Sequence, residues 1–489
     1  MALPSFQLCM VLVLLVPACA SALHPRKLTR TTRFGGEKRF AASEFSYQLP
    51  SDYEIHYYTQ TLDHFNYKPE SYATFQQRYI LNFKYWGGAN TSSPIFLYTG
   101  AEENLIYHVD RSIVELAARF RGLLLYIEHR YYGESMPFGS EEQALQNSST
   151  LGYLSSEQAL ADYAQVITDV KKNLSAENCP AIAVGASYGG MLAAWFRLKY
   201  PHIVIGSLAS SSPILYFDDI TPQNGYHVLS RRILDESCHN TIKQSWSEID
   251  RVAAQPNGLL TLSNMFNTCR PLVSSAEFKE YLELLYITAA QYDNPPDNPV
   301  QSTCRGIDGA PPGTDILGRI VEGLNGRIPG WSSCHDIFTL ELSNNGSWDW
   351  QTCTEMVFPI GYGDNETMFQ PSPFDINNYK KECLQVFGIK PRPHWVTTEF
   401  GGHDIKTVLG NFASNIIFAN GLRDPWSAGG VLEDISDSIV AVYTEHGAHC
   451  LDLYPSTPDD PNWLVEQREK EIKIIAAWLA EYYAKLFTK

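Results

Sequence analysis

The sequence predicts an α/β fold: a largely parallel sheet flanked by helices, interrupted by a long, mainly helical insertion and resumed near the C-terminus. Three observations carry this expectation. Short apolar runs alternate with helix-spaced patterns up to about residue 215, fade, and return beyond 400. Six of the ten cysteines fall between positions 238 and 383, inside the stretch where the strand signal fades. The string Gly185-Ala186-Ser187-Tyr188-Gly189 joins the apolar run Ala181 to Val184 to a helical pattern from Met191 to Tyr200. That is strand, sharp turn and helix, with a serine at the turn.

Taken in chain order, residues 1–22 read as a secretory signal peptide. Leu8 to Val16 is a short apolar core, and Ala18-Cys19-Ala20-Ser21-Ala22 offers cleavage after Ala20 or Ala22, although no Lys or Arg precedes the core. The run is too short to cross a bilayer, and no other stretch approaches the needed length, so no membrane partner is expected after signal removal. Residues 23–45 form a basic leader, carrying Arg26, Lys27, Arg30, Arg33, Lys38 and Arg39, which is either a propeptide or an uncut solvated arm. Five Asn-x-Ser/Thr sequons, at Asn90, Asn147, Asn173, Asn345 and Asn365, fit passage through the secretory pathway.

Residues 46–215 should form the first part of the α/β domain, with strands at Ile95 to Tyr98, Leu123 to Ile127, Ala181 to Val184 and Ile203 to Leu208. Residues 216–400 read as the insertion. Ile242, Trp246, Ile249 and Val252 recur at helical spacing, as do Phe278, Tyr281, Leu282 and Leu285, between proline-rich loops. Residues 401–489 complete the sheet with strands at Ile416 to Phe418 and Ile439 to Val442. A long helix then buries Trp463, Ile472, Ile475, Leu479 and Tyr482 on one side. A net charge of −17 excludes nucleic acid as a partner, since phosphate binding needs a basic surface. Neither a Cys-x-x-Cys pair nor a His-Glu-x-x-His string occurs, so no metal and no cofactor are indicated.

A serine on so tight an elbow projects its hydroxyl above the sheet edge, where a base and an oxyanion hole can reach it. Ser187 therefore reads as a nucleophile; the plainer reading is a glycine-rich structural turn. A nucleophilic serine needs a base and an acid to orient that base, and on such an elbow the chain order is Ser, acid, His. Asp424 follows the strand Ile416 to Phe418, and Glu445-His446-Gly447-Ala448-His449-Cys450 follows the next, so His446 and His449 both qualify as base. The backbone N–H of Tyr188 is the expected oxyanion donor, with a second from the loop Gly100-Ala101-Glu102-Glu103, where Glu102 is the candidate.

Five segments together resemble a known family. They are Glu128-His129-Arg130-Tyr131-Tyr132-Gly133-Glu134-Ser135, the stretch Tyr153 to Tyr163, Gly185 to Gly190, Asn420 to Trp426, and Gly447-Ala448-His449. In this order they are similar to the serine peptidases that include Pro-Xaa carboxypeptidase and dipeptidyl peptidase II, over essentially all residues from about 50 onward. The resemblance implies an α/β-hydrolase fold with a helical cap, and cleavage of peptides after a penultimate proline. It selects Ser187, Asp424 and His449 as the triad. It places Phe358, in the strip Cys353 to Phe358, at the proline pocket, which Met191 and Trp426 also approach by position; plain core packing is the alternative for all three. It pairs Cys238 with Cys304, Cys269 with Cys334 and Cys353 with Cys383, leaving Cys179 and Cys450 free.

Two departures from the family pattern stand out. Cys450 and Tyr454 occupy places where a second histidine and an arginine are usual, and one cap disulfide of the family lacks both its cysteines here. Removal of the C-terminal residue from Pro-Xaa peptides is the leading expectation. Release of Xaa-Pro from N-termini is the alternative, and a non-catalytic binding protein of the same fold is a third. The resemblance also points to a lysosome or vacuole, with export the other destination, and leaves a homodimer open.

Overall fold

The computed structural model describes residues 49–109, 111–327, 334, 335, 337, 346–363, 367–486 and 488. The signal and leader segments, Asn345 and Asn365 lie outside them. One eight-stranded sheet organises the chain: β1 (Glu54–Thr61), β2 (Thr74–Asn82), β3 (Ile95–Thr99), β4 (Leu123–Ile127), β5 (Ala181–Ala186), β6 (Gly206–Ser210), β7 (Ile416–Gly421) and β8 (Ile439–Thr444). Their spatial order is β1-β2-β4-β3-β5-β6-β7-β8. β1 and β2 pair antiparallel, as do β2 and β4, and every later pairing is parallel. This is the α/β-hydrolase fold.

The central strands are apolar throughout because both of their faces are covered. Ile95, Leu97, Leu123, Leu125 and Ile127 point to one core, while Phe96, Tyr98, Leu124 and Tyr126 point to the other, as a period of two requires. The flanking helices are α1 (Ile113–Phe120), the single turns α2 (Glu141–Ala144) and α3 (Ser148–Leu151), α4 (Ser156–Asn173) and α5 (Tyr188–Lys199). Helices α4 and α5 pack on the first face. On the second, α1 joins the C-terminal α16 (Asn462–Leu486), whose Ile475, Trp478 and Leu479 are buried there.

Among the described residues ten α-helices lie between β6 and β7. They are α6 (Gly225–Arg232), α7 (Glu236–Ala253), α8 (Gly258–Met265), α9 (Ser275–Gln291) and α10 (Pro299–Asp308), then α11 (Ile316–Arg327), α12 (Ser347–Thr354), α13 (Ile376–Phe387), α14 (Trp395–Phe400) and α15 (Ile405–Phe412). Ile242, Trp246, Ile249 and Val252 are buried along α7, and Phe278, Tyr281, Leu282 and Leu285 along α9. Disulfides join Cys238 to Cys304, Cys269 to Cys334 and Cys353 to Cys383, while Cys179 and Cys450 are buried and not in a disulfide. Asn90, Asn147 and Asn173 are exposed.

Three details differ from expectation. The strand expected at Ile203 to Leu208 starts only at Gly206, which pairs with the second residue of β5 and has Trp478 against its α-carbon. β1 and β2 carried no strand signal strong enough to place them, because β1 is a half-exposed edge with polar residues on both faces. In α16 the buried stripe includes Gln467, Arg468 and Glu471, whereas Trp463, Ile472 and Tyr482 are only half-buried.

Two of the five motif segments form a buried ionic seam beside β2 and β4. Arg130 donates from Nε and Nη2 to Asp162 at 2.7 and 2.6 Å, and caps the carbonyls of Leu62 and Tyr153. Glu128 pairs with Arg78 at 2.5 Å and accepts from the amides of Leu105 and Glu134. Gly133, at φ +56°, is required here, since a Cβ would lie 1.8 Å from Glu128 Oε1. All four charged side chains are fully buried. Removing one partner leaves an uncompensated buried charge, so Asp162→Ala should cost about 3–5 kcal/mol, read as a lower urea midpoint.

Candidate active site

Ser187 lies between β5 and α5 with φ +56° and ψ −125°, a conformation that L-residues rarely adopt. Its N–H donates to the Ser210 carbonyl at 2.9 Å, tying the elbow to the end of β6. The flanking glycines are sterically obligatory. A Cβ on Gly185 would meet Gly189 O at 2.1 Å, and one on Gly190 would meet Ser210 O at 2.7 Å. The hydroxyl of Thr99, the last residue of β3, donates to Gly189 O at 2.7 Å and clamps the turn from the other side.

Asp424 follows β7 and caps the short helical turn Pro425–Gly429, with Oδ1 accepting from Trp426 N–H at 3.0 Å. Its Oδ2 accepts from His449 Nδ1 at 2.6 Å, and both side chains are wholly buried. In the neutral ring this contact keeps the single proton on Nδ1, with the Nε2 lone pair available to act as base. Nε2 is buried and makes no hydrogen bond to any described residue. Burial alone would lower the pKa of His449, but the Asp424 carboxylate, together with the adjoining Cys450 sulfur, outweighs it and raises the pKa well above the ordinary value.

The loop that carries His449 is held from two sides. Its own N–H donates to the Gln291 carbonyl at the end of α9, and the Tyr292 ring stands edge-on to the imidazole at 5.9 Å. The next amide, Cys450 N–H, donates to Ser211 Oγ at 2.8 Å, and Cys450 Sγ lies 3.9 Å from the Ser210 carbonyl that Ser187 N–H also reaches. Ser210 thus brings the serine elbow and the histidine loop together. His446, the other histidine of this loop, is exposed against Trp463 and takes no part in the Asp424 contact.

The first-turn amides of α5, beginning at Tyr188, have no intrahelical acceptor and point toward the elbow. The loop Gly100 to Glu103 lies against them, because a Cβ on Gly189 would come within 2.8 Å of Thr99 O and 3.4 Å of the Ala101 side chain. Gly100 N–H is spent on the Ile127 carbonyl, so the loop's remaining candidates are Ala101, Glu102 and Glu103. The Glu103 side chain pairs with His108 at 2.7 Å.

Trp426 and Phe358 meet edge to face at 5.4 Å, and Met191 is buried in the same core cluster. Phe217 stacks on Phe358 at 4.9 Å, while Tyr216 and Tyr226 abut Trp426 at 5.8 and 5.1 Å. Trp348, 5.3 Å from the Tyr188 ring, closes the wall. The contacts of Phe217, Tyr226, Gln291 and Trp348 around this cluster and the His449 loop were not foreseen, because nothing in their local spacing marks them. Among the described residues one group, Asp218, His394 and His403, has ligand atoms within 4.8 Å of one another. Its carboxylate is already engaged by His394 and Thr397, and no chemistry below runs through it.

A family description, serine carboxypeptidase S28, matches residues 60–316 and 331–471. Lysosomal Pro-X carboxypeptidase of Mus musculus is 36% identical over 456 residues, covering 89% of this chain and 91% of the relative. The Homo sapiens protein of that name is 35% identical over 458 residues, covering 89% and 90%. Thymus-specific serine protease of Homo sapiens is 28% identical over 466 residues, covering 86% and 85%. A chain with this elbow and this sheet, matched over most of its length, belongs to the serine carboxypeptidase S28 family.

Proposed function

We propose that this protein is a serine exopeptidase that hydrolyses the bond after proline and releases the C-terminal residue from Pro-Xaa peptides through an acyl-enzyme. The observation that carries the reading is the buried Asp424–His449 contact, held beside the Ser187 elbow because Ser187 N–H and the adjoining Cys450 Sγ meet the same Ser210 carbonyl. Names of relatives with 35–36% identity support the proline preference and a lysosomal destination.

In this mechanism His449 Nε2 takes the Ser187 hydroxyl proton as Oγ bonds to the prolyl carbonyl carbon. The carbonyl π electrons move to oxygen, and the oxyanion is met by Tyr188 N–H and a second amide, with Glu102 the candidate. Asp424 stabilises the imidazolium without taking its proton. The imidazolium then protonates the leaving nitrogen as the C–N bond breaks, and water attacks the acyl-enzyme through the same groups. Phe358, Trp426 and Met191 form a compact apolar wall suited to a pyrrolidine ring. A ring locked near its bound shape loses little entropy on entering such a wall, which favours proline over a flexible side chain.

Ser187→Ala should lower kcat by at least about 10⁴-fold, and retained activity would overturn the acyl-enzyme. Asp424→Asn should lower kcat about 10⁴-fold. Because the carboxylate is what raises the His449 pKa, the acid limb of the residual activity should move to lower pH, as kcat/KM profiles would report. Phe358→Ala should reduce the preference for proline over alanine before the scissile bond by about tenfold. Peptides blocked at one end decide between the two termini: hydrolysis of an N-blocked Pro-Xaa peptide is expected, and activity on C-blocked Xaa-Pro peptides alone would overturn the carboxypeptidase reading.

A further inference from the structure

Glu355 takes no part in the acyl-transfer steps, yet it is fully enclosed where α12 ends. Ser156 N–H reaches its two oxygens at 2.9 and 3.1 Å, and Ser156 Oγ lies 2.9 Å from Oε2. Gln351 Nε2 donates to Oε1 at 3.0 Å and, with its other proton, to Tyr188 OH at 2.9 Å. Gln351 Oε1 accepts from Tyr132 OH at 2.6 Å. Tyr188 OH lies 3.1 Å from His129 Nε2, and His129 Nδ1 lies 2.7 Å from the Arg130 carbonyl.

These contacts have only one consistent direction. Burial pushes the His129 pKa down to about 4, so the ring is neutral and its one proton is on Nδ1, facing the carbonyl. Nε2 must accept, so Tyr188 OH donates to it and accepts from Gln351. The side chain directly after the proposed nucleophile is therefore held between His129 and a glutamine whose remaining proton goes to Glu355.

We propose that Glu355 is a positioning residue: through Gln351 and Tyr188 it pins the first turn of α5 against the insertion, and it does so in its protonated form. The role rests on Ser187 being the nucleophile and Tyr188 N–H its oxyanion donor. Protonated, Glu355 keeps every contact, because Oε2–H donates to the Ser156 hydroxyl while Oε1 still accepts from Ser156 N–H and Gln351. Ionised, it becomes a buried charge with no cation among its hydrogen-bond partners. The groups facing it are Tyr188 on α5, Tyr132 after β4 and the Glu157 carboxyl on α4, while Asp349 and Glu102 face Tyr132 and Arg392 faces Glu157. Burial first and Glu157 second push Glu355 up to about 7.

The sign of the linkage follows. Below 4.5, its ordinary value, Glu355 is protonated both folded and unfolded. Between 4.5 and about 7 only the folded chain keeps the proton, so this group's contribution to stability falls as pH rises and is lost above the folded value. Asp452 and Glu471, also pushed up by burial, add to the same trend, so only a difference between variants isolates Glu355.

Glu355→Gln supplies that difference, because its amide can donate to Ser156 Oγ and its carbonyl can replace Oε1. Between pH 5 and pH 8 the wild-type Tm should fall about 3 °C further than that of the variant. Wild-type kcat should drop about tenfold from the plateau by pH 8, while Glu355→Gln should lose less than about twofold. Gln351→Leu cuts the relay and leaves the carboxyl in place. It should lower kcat with little change in KM, and because the lost amide hydrogen bond favoured the ionised carboxyl, the fall of Tm should persist but move to higher pH. A Glu355→Gln variant with the wild-type pH dependence of both Tm and kcat would overturn the proposal, as would a Gln351→Leu variant with unchanged kcat. An active Ser187→Ala variant would sink the nucleophile reading instead, and the Tm comparison would still decide whether Glu355 carries the proton.

Discussion

The structure turns on one backbone constraint: Ser187 sits at positive φ on a turn whose flanks have no room for a side chain. Such a conformation costs on the order of 1–3 kcal/mol and persists only where its surroundings over-determine it. Here they do so through the Ser210 carbonyl on one side, the Thr99 hydroxyl on the other, and β3, β5 and β6, none of which exposes a residue. Because β5 to β8 run parallel, their carboxyl ends open on one edge. The loops bearing Asp424 and His449 then face the elbow without further adjustment.

The insertion is part of the site and not a cover placed over a finished one. Gln291, the last residue of α9, accepts the His449 amide; Phe358 and Trp348 come from α12 and the strip after it; Gln351 reaches the Tyr188 hydroxyl. The Ser187 elbow and its neighbours thus depend on contacts between two parts of the chain more than 150 residues apart. The disulfides act within this region. Cys353–Cys383 fixes the α12 end from which Glu355, Phe358 and Gln351 are presented, and the other two tie α7 to α10 and the turn after α8 to Cys334.

Much of the most distinctive sequence serves the scaffold. The stretch Glu128 to Ser135, with Arg78 on β2 and Asp162 in the second turn of α4, holds two fully buried ion pairs. Such pairs add little net stability over apolar packing, but once built, neither partner can be removed cheaply. His129 differs from its neighbours, since its imidazole joins the two regions: Nδ1 meets the Arg130 carbonyl and Nε2 accepts from the Tyr188 hydroxyl. Cys450 is held by its backbone, with φ +54° and its N–H on Ser211, in the loop that carries His449.

The fold class, the elbow, the order of Ser187, Asp424 and His449 and the position of the helical insertion are all written in local sequence pattern. Buried parallel strands are continuously apolar, helices repeat every three to four residues, and a tight turn demands glycine. The edge strands β1 and β2 and the late start of β6 were less legible, since partial exposure weakens alternation and a neighbour such as Trp478 sets where pairing begins. Folding alone shows that His449 Nδ1 reaches Asp424 Oδ2, that Gln291 holds the histidine loop, which aromatic rings gather around Trp426, and that Glu355 reaches Tyr188 through Gln351. The physical reason is common to all four: a hydrogen bond or ring contact between residues far apart in the chain leaves no trace in local spacing, and the sheet and its insertion alone bring the partners together.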